Sequence, residues 1–467
     1  MLTYDFGNKG GSPLYVYLYN CIKADILCGR LKPNEKLPSK RNLAEHLKIS
    51  IVTVENSYAQ LILEGYIYSV EKKGYFVSRL QETLPRAITA PQQKKEYIYG
   101  TDKSSCEFDF QSNNVSSKKF PFSIWAKLMR ETLSEQDARL LEPMPYNGVE
   151  ELRIAIADYL YHFRGMLVSP EQIIIGAGTE YLYNLIIQLL GRNNVFATED
   201  PGYKKIARVY QSNAVRCEFI GMDNSGLSVC ELASSGANIV HISPAHHFPT
   251  GIVMPIKRRH ELLLWANEKQ GRYIIEDDYD SEFRFSGRPL QTLQSIDMNE
   301  KVLYVNTFSK SIAPSMRISY MVLPKHLTDH YAENLNFYSC TVPSFEQFTL
   351  AKFIANGYFE RHINRMRNYY KKQRDTVISA IKQSSLGEQI TILEENAGLH
   401  FLMKVKTGMS DADMKRAAEA EGIKLSCLSE YCHDAGRQNS NVIIINYSGI
   451  DFDKVEEAIR RLLTIFQ

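Results

Sequence analysis

The apolar positions of this chain change rhythm along its length. Over residues 12–78 they recur at helical spacing. Leu43, Ala44 and Leu47 make one stripe, and a second helix runs through Val54, Tyr58, Leu61, Ile62 and Leu63. Ser39 precedes the first stripe as an N-cap, and Lys48-Ile49-Ser50 forms a turn between the two. After Glu64-Gly65-Tyr66 the pattern shortens to Ile67–Val70 and Tyr75–Val77, set around the polar tip Glu71-Lys72-Lys73-Gly74. That is a hairpin. Two helices joined by a tight turn and followed by a basic-tipped hairpin predict a winged helix-turn-helix.

Between residues 79 and 107 the rhythm disappears. The stretch is polar, is broken by Pro85 and Pro91, and carries Gln92-Gln93-Lys94-Lys95-Glu96, which reads as a linker. From residue 108 to the end, helical patterns alternate with short apolar runs such as Gln172–Ile175, Asn238–Ile242, Tyr273–Ile275 and Val302–Val305. Buried parallel strands between helices have this signature, so the large zone is α/β. Over about 345–467 a long charged helix spans Tyr358–Ile381, and isolated strands follow at Gly398–Val405 and Asn441–Tyr447. These predict a smaller α+β lobe. The expected division is therefore 1–78, 79–107 and 108–467, with no internal repeat.

Composition adds bounds. A chain of 467 residues is too long for one core. Hydrophobic content of 44% and charged content of 23% are those of a soluble globular protein. Residues 1–80 hold 11 Lys and Arg against 7 Asp and Glu, while the remainder holds 44 against 46. A mildly basic head on a near-neutral body permits nucleic-acid binding. The eight cysteines form no C-x-x-C pair, so reduced thiols are expected and no metal site. The N-terminus has no basic region followed by an apolar core, and no apolar run reaches membrane-spanning length. A cytoplasmic protein without membrane contact is expected.

The candidate chemistry centres on Asn306-Thr307-Phe308-Ser309-Lys310-Ser311, with Arg317 beyond it. The run Val302–Val305 would deliver Lys310 to a hydroxyl-lined turn. A pyridoxal 5′-phosphate (PLP) site needs such a turn: an amine for the aldehyde, and hydroxyls with a guanidinium for the phosphate. A lysine beside a serine is common on solvated turns, so the motif alone is weak. Four further segments give it weight. Ile174–Glu180 is a strand, a glycine turn and a helix start, fit to cradle a phosphate. Arg272–Asp280 places carboxylates at a strand's C-terminal end, where a ligand of an open α/β sheet lies. Asp200-Pro201-Gly202-Tyr203 offers an aromatic face. Tyr146-Asn147-Gly148 precedes a helix containing Leu152-Arg153. Each has a bland alternative, a solvated strand end or a core tyrosine, but four coincidences in this order are much rarer than one.

The head resembles the GntR family of bacterial regulators over residues 12–78, on "LPSKRNLAEHLKIS" and "EGYIYSVEKKGYFV". The resemblance implies DNA contacts by Ser39, Lys40, Arg41, Thr53, Asn56, Lys73 and Gly74. It departs at Ile51, where the family usually has arginine. The body resembles fold-type I aminotransferases over about 108–467. Head and body together resemble the MocR/GabR family, most specifically on "IIEDDYDSEF" and "TFSKS…RISYMVLP". The implied fold is a large mixed-sheet α/β domain with a small α+β lobe, behind a winged helix-turn-helix. The implied cofactor is PLP. Lys310 would be the Schiff-base lysine, Asp277 the partner of the pyridine nitrogen, and Tyr279 that of the ring hydroxyl. Tyr203 would stack on the ring, and Gly178, Thr179, Thr307, Ser309 and Arg317 would hold the phosphate.

The departures bear on the ligand. Where such proteins carry an arginine that forks onto a substrate carboxylate, Gly449 stands here. Lys205 replaces the second arginine of a "PGYRR" segment, and Ala245–Gly251 replaces the asparagine turn of aminotransferases. Lys205, His246, His247 or Arg288 would then bind a carboxylate differently, or Gly449 leaves room for a larger ligand. The resemblance therefore implies a homodimeric regulator binding double-stranded operator DNA. It would sense an amino acid, a D-amino acid, a dipeptide or PLP itself through the Lys310 aldimine, without needing turnover. Half-transamination is open as a side reaction. The rival expectation is a working aminotransferase with a vestigial head. A linker of about 28 residues spans roughly 30 Å as a coil and about 95 Å at full extension, so direct and inverted half-sites are both within reach.

Overall fold

The computed structural model describes residues 2–6, 11–79, 106–111, 119–135, 138–285, 290–434 and 440–466. The chain divides into two compact units, Met1–Thr101 and Asp102–Gln467. The expected linker lies almost entirely outside the described residues.

The first unit holds helices α1 (Leu14–Leu27), α2 (Lys40–Leu47) and α3 (Ile51–Leu63), then strands β1 (Ile67–Val70) and β2 (Gly74–Val77). Ser39 caps α2 by accepting from the Asn42 N–H, and Ser50 caps α3 by accepting from the Thr53 N–H. Lys48 ends α2 in the left-handed conformation, which turns the chain into α3. Leu43, Val54, Tyr58 and Leu61 are completely buried with Leu18 and Ile22, whereas Ile62 and Leu63 at the end of α3 are exposed. The two strands pair antiparallel, Ile67 opposite Val77.

The second unit begins with β3 (Phe108–Asp109), α4 (Phe122–Glu135) and α5 (Glu150–Arg164). Next come β4 (Ile173–Gly176), α6 (Thr179–Leu190), β5 (Phe196–Asp200), α7 (Lys204–Ser212), β6 (Cys217–Asp223) and β7 (Gly226–Leu227). The large sheet is completed by β8 (Ile239–Ile242), β9 (Tyr273–Asp277), β10 (Val302–Thr307) and β11 (Ser319–Val322). Its order is β4-β11-β10-β9-β8-β5-β6-β7. The run β10-β9-β8-β5-β6 is parallel.

One expected parallel strand is not parallel to its neighbour. Among the described residues Ile173–Gly176 pairs only with β11, and antiparallel. The cause is the connection from β10 to β11, which is too short for a crossover helix and reverses the chain. Antiparallel to an antiparallel strand, β4 again points the same way as β10. Its glycine turn therefore opens on the same edge of the sheet as the lysine turn.

The small lobe packs the helix Tyr358–Gln383 against an antiparallel sheet of β12 (Ile390–Leu393), β13 (His400–Val405), β16 (Val442–Asn446) and β15 (Ser426–Cys427). Between β13 and β15 the chain forms β14 (Ile423–Lys424), which pairs with β3. Met366, Tyr370 and Val377 of the helix meet Phe401, Ile443 and Ile445 of the sheet in one core.

Beneath the sheet edge lies a buried polar knot. Arg164, at the end of α5, donates to Asp278 Oδ2 at 2.7 Å, with the two side chains 2% and 0% exposed. Tyr304 of β10 donates to the same oxygen at 2.6 Å and Ser281 at 3.0 Å. Removing one partner of such a pair strands a buried charge. Arg164→Met should therefore lower unfolding free energy by about 3–5 kcal/mol in urea titrations. Glu282 is buried close by. Burial, with Asp278 adding, pushes its carboxyl up to about 8. The folded state then holds a proton that the unfolded chain has lost, so this contribution is complete below about pH 4.5 and vanishes as pH rises through 8. The stability of wild type relative to Glu282→Gln should fall across that window, by at most about 1.4 kcal/mol per pH unit.

Candidate functional site

The carboxyl ends of the parallel strands and the β4 turn surround a cavity of about 340 Å³. This is where an open α/β sheet presents ligands. The acidic segment that ends β9 is sorted by the two-residue period of a strand. Asp277 and Tyr279 line the cavity. Glu276, Asp278 and Asp280 turn away, each to its own partner. Glu276 accepts from the Leu293 and Gln294 N–H groups at 2.9 and 3.0 Å. Asp278 takes Arg164. Asp280 takes His246 Nδ1 at 2.9 Å.

Asp277 is held from one side only. Tyr183 donates to its Oδ2 at 2.5 Å, and His241 Nε2 is 3.5 Å from the same oxygen. Its other oxygen, Oδ1, is buried and has no hydrogen-bond partner. A protonated ring nitrogen would satisfy it. Lys310 lines the same cavity from the short helix Phe308–Ser311 that follows β10. Burial pulls its ammonium down to about 8, against the pull of Asp280 and with help from Lys205.

The other end of the cavity is shaped for an anion. Gly178 precedes α6 at φ +95°, and a Cβ there would lie 2.1 Å from an Arg317 guanidinium nitrogen. Only glycine allows that approach. Thr179, Thr307, Ser309 and Arg317 also line this part. Thr307 accepts from the Ser309 N–H at 3.1 Å and donates to its hydroxyl at 3.0 Å, which fixes both hydroxyls. Glu180 stands among these donors. It accepts from Arg317 at 2.6 Å and from Lys205. Burial disfavours its charge, but Lys205, the backbone and Arg317 outweigh that and hold the carboxyl near 2.

Tyr203 flanks the cavity, about half exposed, with its ring edge-on to Phe248 at 5.7 Å. Phe248 meets Tyr431 in the same way at 5.1 Å. Glu199 lies at the end of β5. Its Oε2 accepts from the Ser243 N–H at 3.1 Å and sits 3.3 Å from His247 Nε2, while Oε1 is buried without a partner. Burial pushes Glu199 up to about 8 and His247 down to about 3, so both are neutral at pH 7.

The structure thus gathers Lys310, Asp277, Tyr279, Tyr203, Thr179, Thr307, Ser309 and Arg317 around one cavity, with Gly178 at its edge; Lys205 and His247 line it too. Two ligand-facing expectations change. His246 is buried behind Tyr279, with Nδ1 3.3 Å from the phenol and closer to Asp280, and does not line the cavity. Gly449 sits exposed on a turn after β16, also outside the lining. Arg288 lies outside the described residues. Sequence reasoning missed Tyr183, Glu180, Glu199, Phe248 and Tyr431. A helical signal existed for Tyr183, one turn after Thr179 on α6. Among the described residues no cluster suited to a metal ion occurs, and no helix is long and apolar enough to cross a membrane.

In the head, Arg41, Asn56 and Lys73 are exposed. Lys40 is paired with Glu55 at 2.6 Å. The Ser39 hydroxyl is engaged as the cap of α2, and Thr53 Oγ1 lies 2.8 Å from Ser50 Oγ. Gly74 takes φ +109° at the hairpin turn.

Two family descriptions match the chain: "Bacterial regulatory proteins, gntR family" over residues 14–77, and "Aminotransferase class I and II" over residues 107–462. The chain is 38% identical to the HTH-type transcriptional regulator YdeL of Bacillus subtilis (strain 168), covering 96% of each protein. It is 30% identical to the "Probable rhizopine catabolism regulatory protein MocR" of Rhizobium meliloti, covering 97% of this chain and 94% of that protein. In fold it is similar to Pyrococcus horikoshii kynurenine aminotransferase in complex with PMP, with TM-score 0.67 and 24% identity over 78% of this chain and 91% of that one. The chain belongs to the MocR-type family of HTH-type transcriptional regulators, in which a GntR helix-turn-helix domain is fused to an aminotransferase class I and II domain.

Proposed function

We propose that this regulator binds PLP in the body and double-stranded operator DNA through the head, and that a small amine acting at Lys310 changes the DNA-bound state. The observation that carries the reading is the pairing of Lys310 with the unsatisfied Asp277 Oδ1 in one cavity. PLP, when bound, supplies an aldehyde that links to amines and a ring that withdraws electrons. Lys310 would hold the aldehyde carbon. Its lowered pKa keeps a useful fraction as free amine near neutral pH. Tyr183 and His241 orient Asp277 so that its open oxygen can take the ring N–H. Tyr279 would donate to the ring oxygen, and Tyr203 would cover the ring face. Gly178, Thr179, Thr307, Ser309 and Arg317 would receive the phosphate. Lys205 and the neutral Glu199–His247 pair would meet the incoming amine's substituents. The body acts as a sensor in a homodimer, and such a switch works only where the ligand binds the two states unequally.

Four outcomes are expected. Titrating PLP into the protein should give a visible absorbance band that Lys310→Ala removes and Asp277→Asn weakens. The rate of loading should rise with pH and level off near 8, because Lys310 is cationic below that value; an ordinary lysine would keep gaining amine to about 10.4. Glu180→Gln should tighten PLP binding up to about fivefold at low salt, since it frees Arg317 and removes a carboxylate from beside the phosphate. Titrating amines, D-amino acids and dipeptides against the band, with and without DNA, should find a compound that alters both the band and the gel shift. Steady turnover of an amino acid and keto acid pair, with no sequence-selective DNA shift, would overturn the proposal.

A further inference from the structure

The outward face of α3 has an unusual make-up for a helix meant to enter a DNA groove. Its exposed positions are Ile51, Val52, Glu55, Asn56, Ala59, Ile62 and Leu63, which share one side of the helix by spacing. Ile51 is 48% exposed and Val52 62%. No Lys or Arg occurs anywhere in α3. Glu55, the one charge on this face, is paired with Lys40 of α2. Leaving apolar groups in water next to a neutralised ion pair costs free energy, and a hydrophobic partner would recover it. The surroundings carry a net positive charge: Arg41, Lys48, Lys72 and Lys73 are all exposed, against Glu45 and Glu71. A polyanion with apolar groups in a groove fits both features.

Resting on the reading that the head binds DNA, we propose that α3 reads A·T base pairs, with Ile51, Val52 and Ala59 against thymine methyl groups and Asn56 on an adenine edge. The major groove offers the thymine C5-methyl to apolar side chains and adenine N6 and N7 to an amide, whereas guanine is read mainly by Arg or Lys. This face has the first two readers and lacks the third. Ile51 to Ala59 spans about 12 Å along the helix, the length of three to four base pairs. The basic residues of α2 and of the hairpin tip are left to hold phosphates, which position the head without specifying sequence.

The test uses the full-length, PLP-loaded protein and duplexes with a randomised core. Selection should enrich half-sites with a run of A·T pairs at their centre. Replacing a contacted thymine by deoxyuridine removes only the methyl group, and should weaken binding about fourfold, as for one buried methylene-sized group. The same replacement should have almost no effect in Ile51→Ala or Val52→Ala, whose exposed side chains are not needed for folding. Enriched sites with G·C at the centre, or deoxyuridine substitution without effect at every thymine, would overturn the inference and leave DNA binding intact. No enrichment at all would remove the DNA reading together with it.

Discussion

The structure depends on how one strand end distributes its carboxylates. Glu276, Asp277, Asp278 and Asp280 lie within five residues, all nearly or fully buried. Charges packed this closely at low dielectric cannot all survive without separate compensation. The strand's two-residue period provides it by sending successive side chains to opposite faces. Glu276 meets backbone N–H groups, Asp278 meets Arg164 and Tyr304, and Asp280 meets His246. Asp277 and Asp278 each keep a buried Oδ1 without a partner, and of the two only Asp277 lines the cavity. A slip of one residue would exchange the two sets, burying the ligand-facing groups and exposing the structural ones. The knot below the sheet edge therefore fixes the register on which the cavity above it relies.

Direction matters as much as register. The short turn that carries Lys310 forces β11 to run backward, and β4 answers by running antiparallel to β11. Two reversals bring the glycine turn before α6 to the edge already occupied by Asp277 and Lys310. A cationic, hydroxyl-rich end and an acidic end then face each other across the cavity. Glu180 complicates the first of these. Its ion pairs with Arg317 and Lys205 leave that end with one net positive charge, and the phosphate of the proposed cofactor would compete with a carboxylate already in place.

What the sequence made legible follows from these two constraints. Lys310, Asp277, Tyr279, Thr307 and Ser309 sit at the ends of strongly apolar strands, and Gly178 and Thr179 at a glycine turn, so local pattern was enough to bring them to one edge. Tyr183 was not legible, because its partner Asp277 is 94 residues away and only the packing of α6 on the sheet joins them. Glu199 hid next to Asp200, whose carboxylate instead ties the loop to the His433 and Asp434 N–H groups. His246 carried a plausible ligand-binding side chain, but Asp280 captures it. The antiparallel setting of β4 was beyond reach because an apolar run of four residues reads the same in either direction.

The make-up of α3 constrains how the two units work together. A face that reads three or four A·T pairs, as proposed for α3, would match very many places in a genome, so one head alone would not select an operator. Selectivity would then come from the two heads of the proposed dimer engaged together, each raising the effective concentration of the other. That term would depend on the distance between the points where the two heads join the proposed dimer. An amine that moved those points would alter operator affinity without touching α3. On the proposed reading the cavity around Lys310 would thus control DNA binding through geometry alone, and weak specificity of each head would make that control effective.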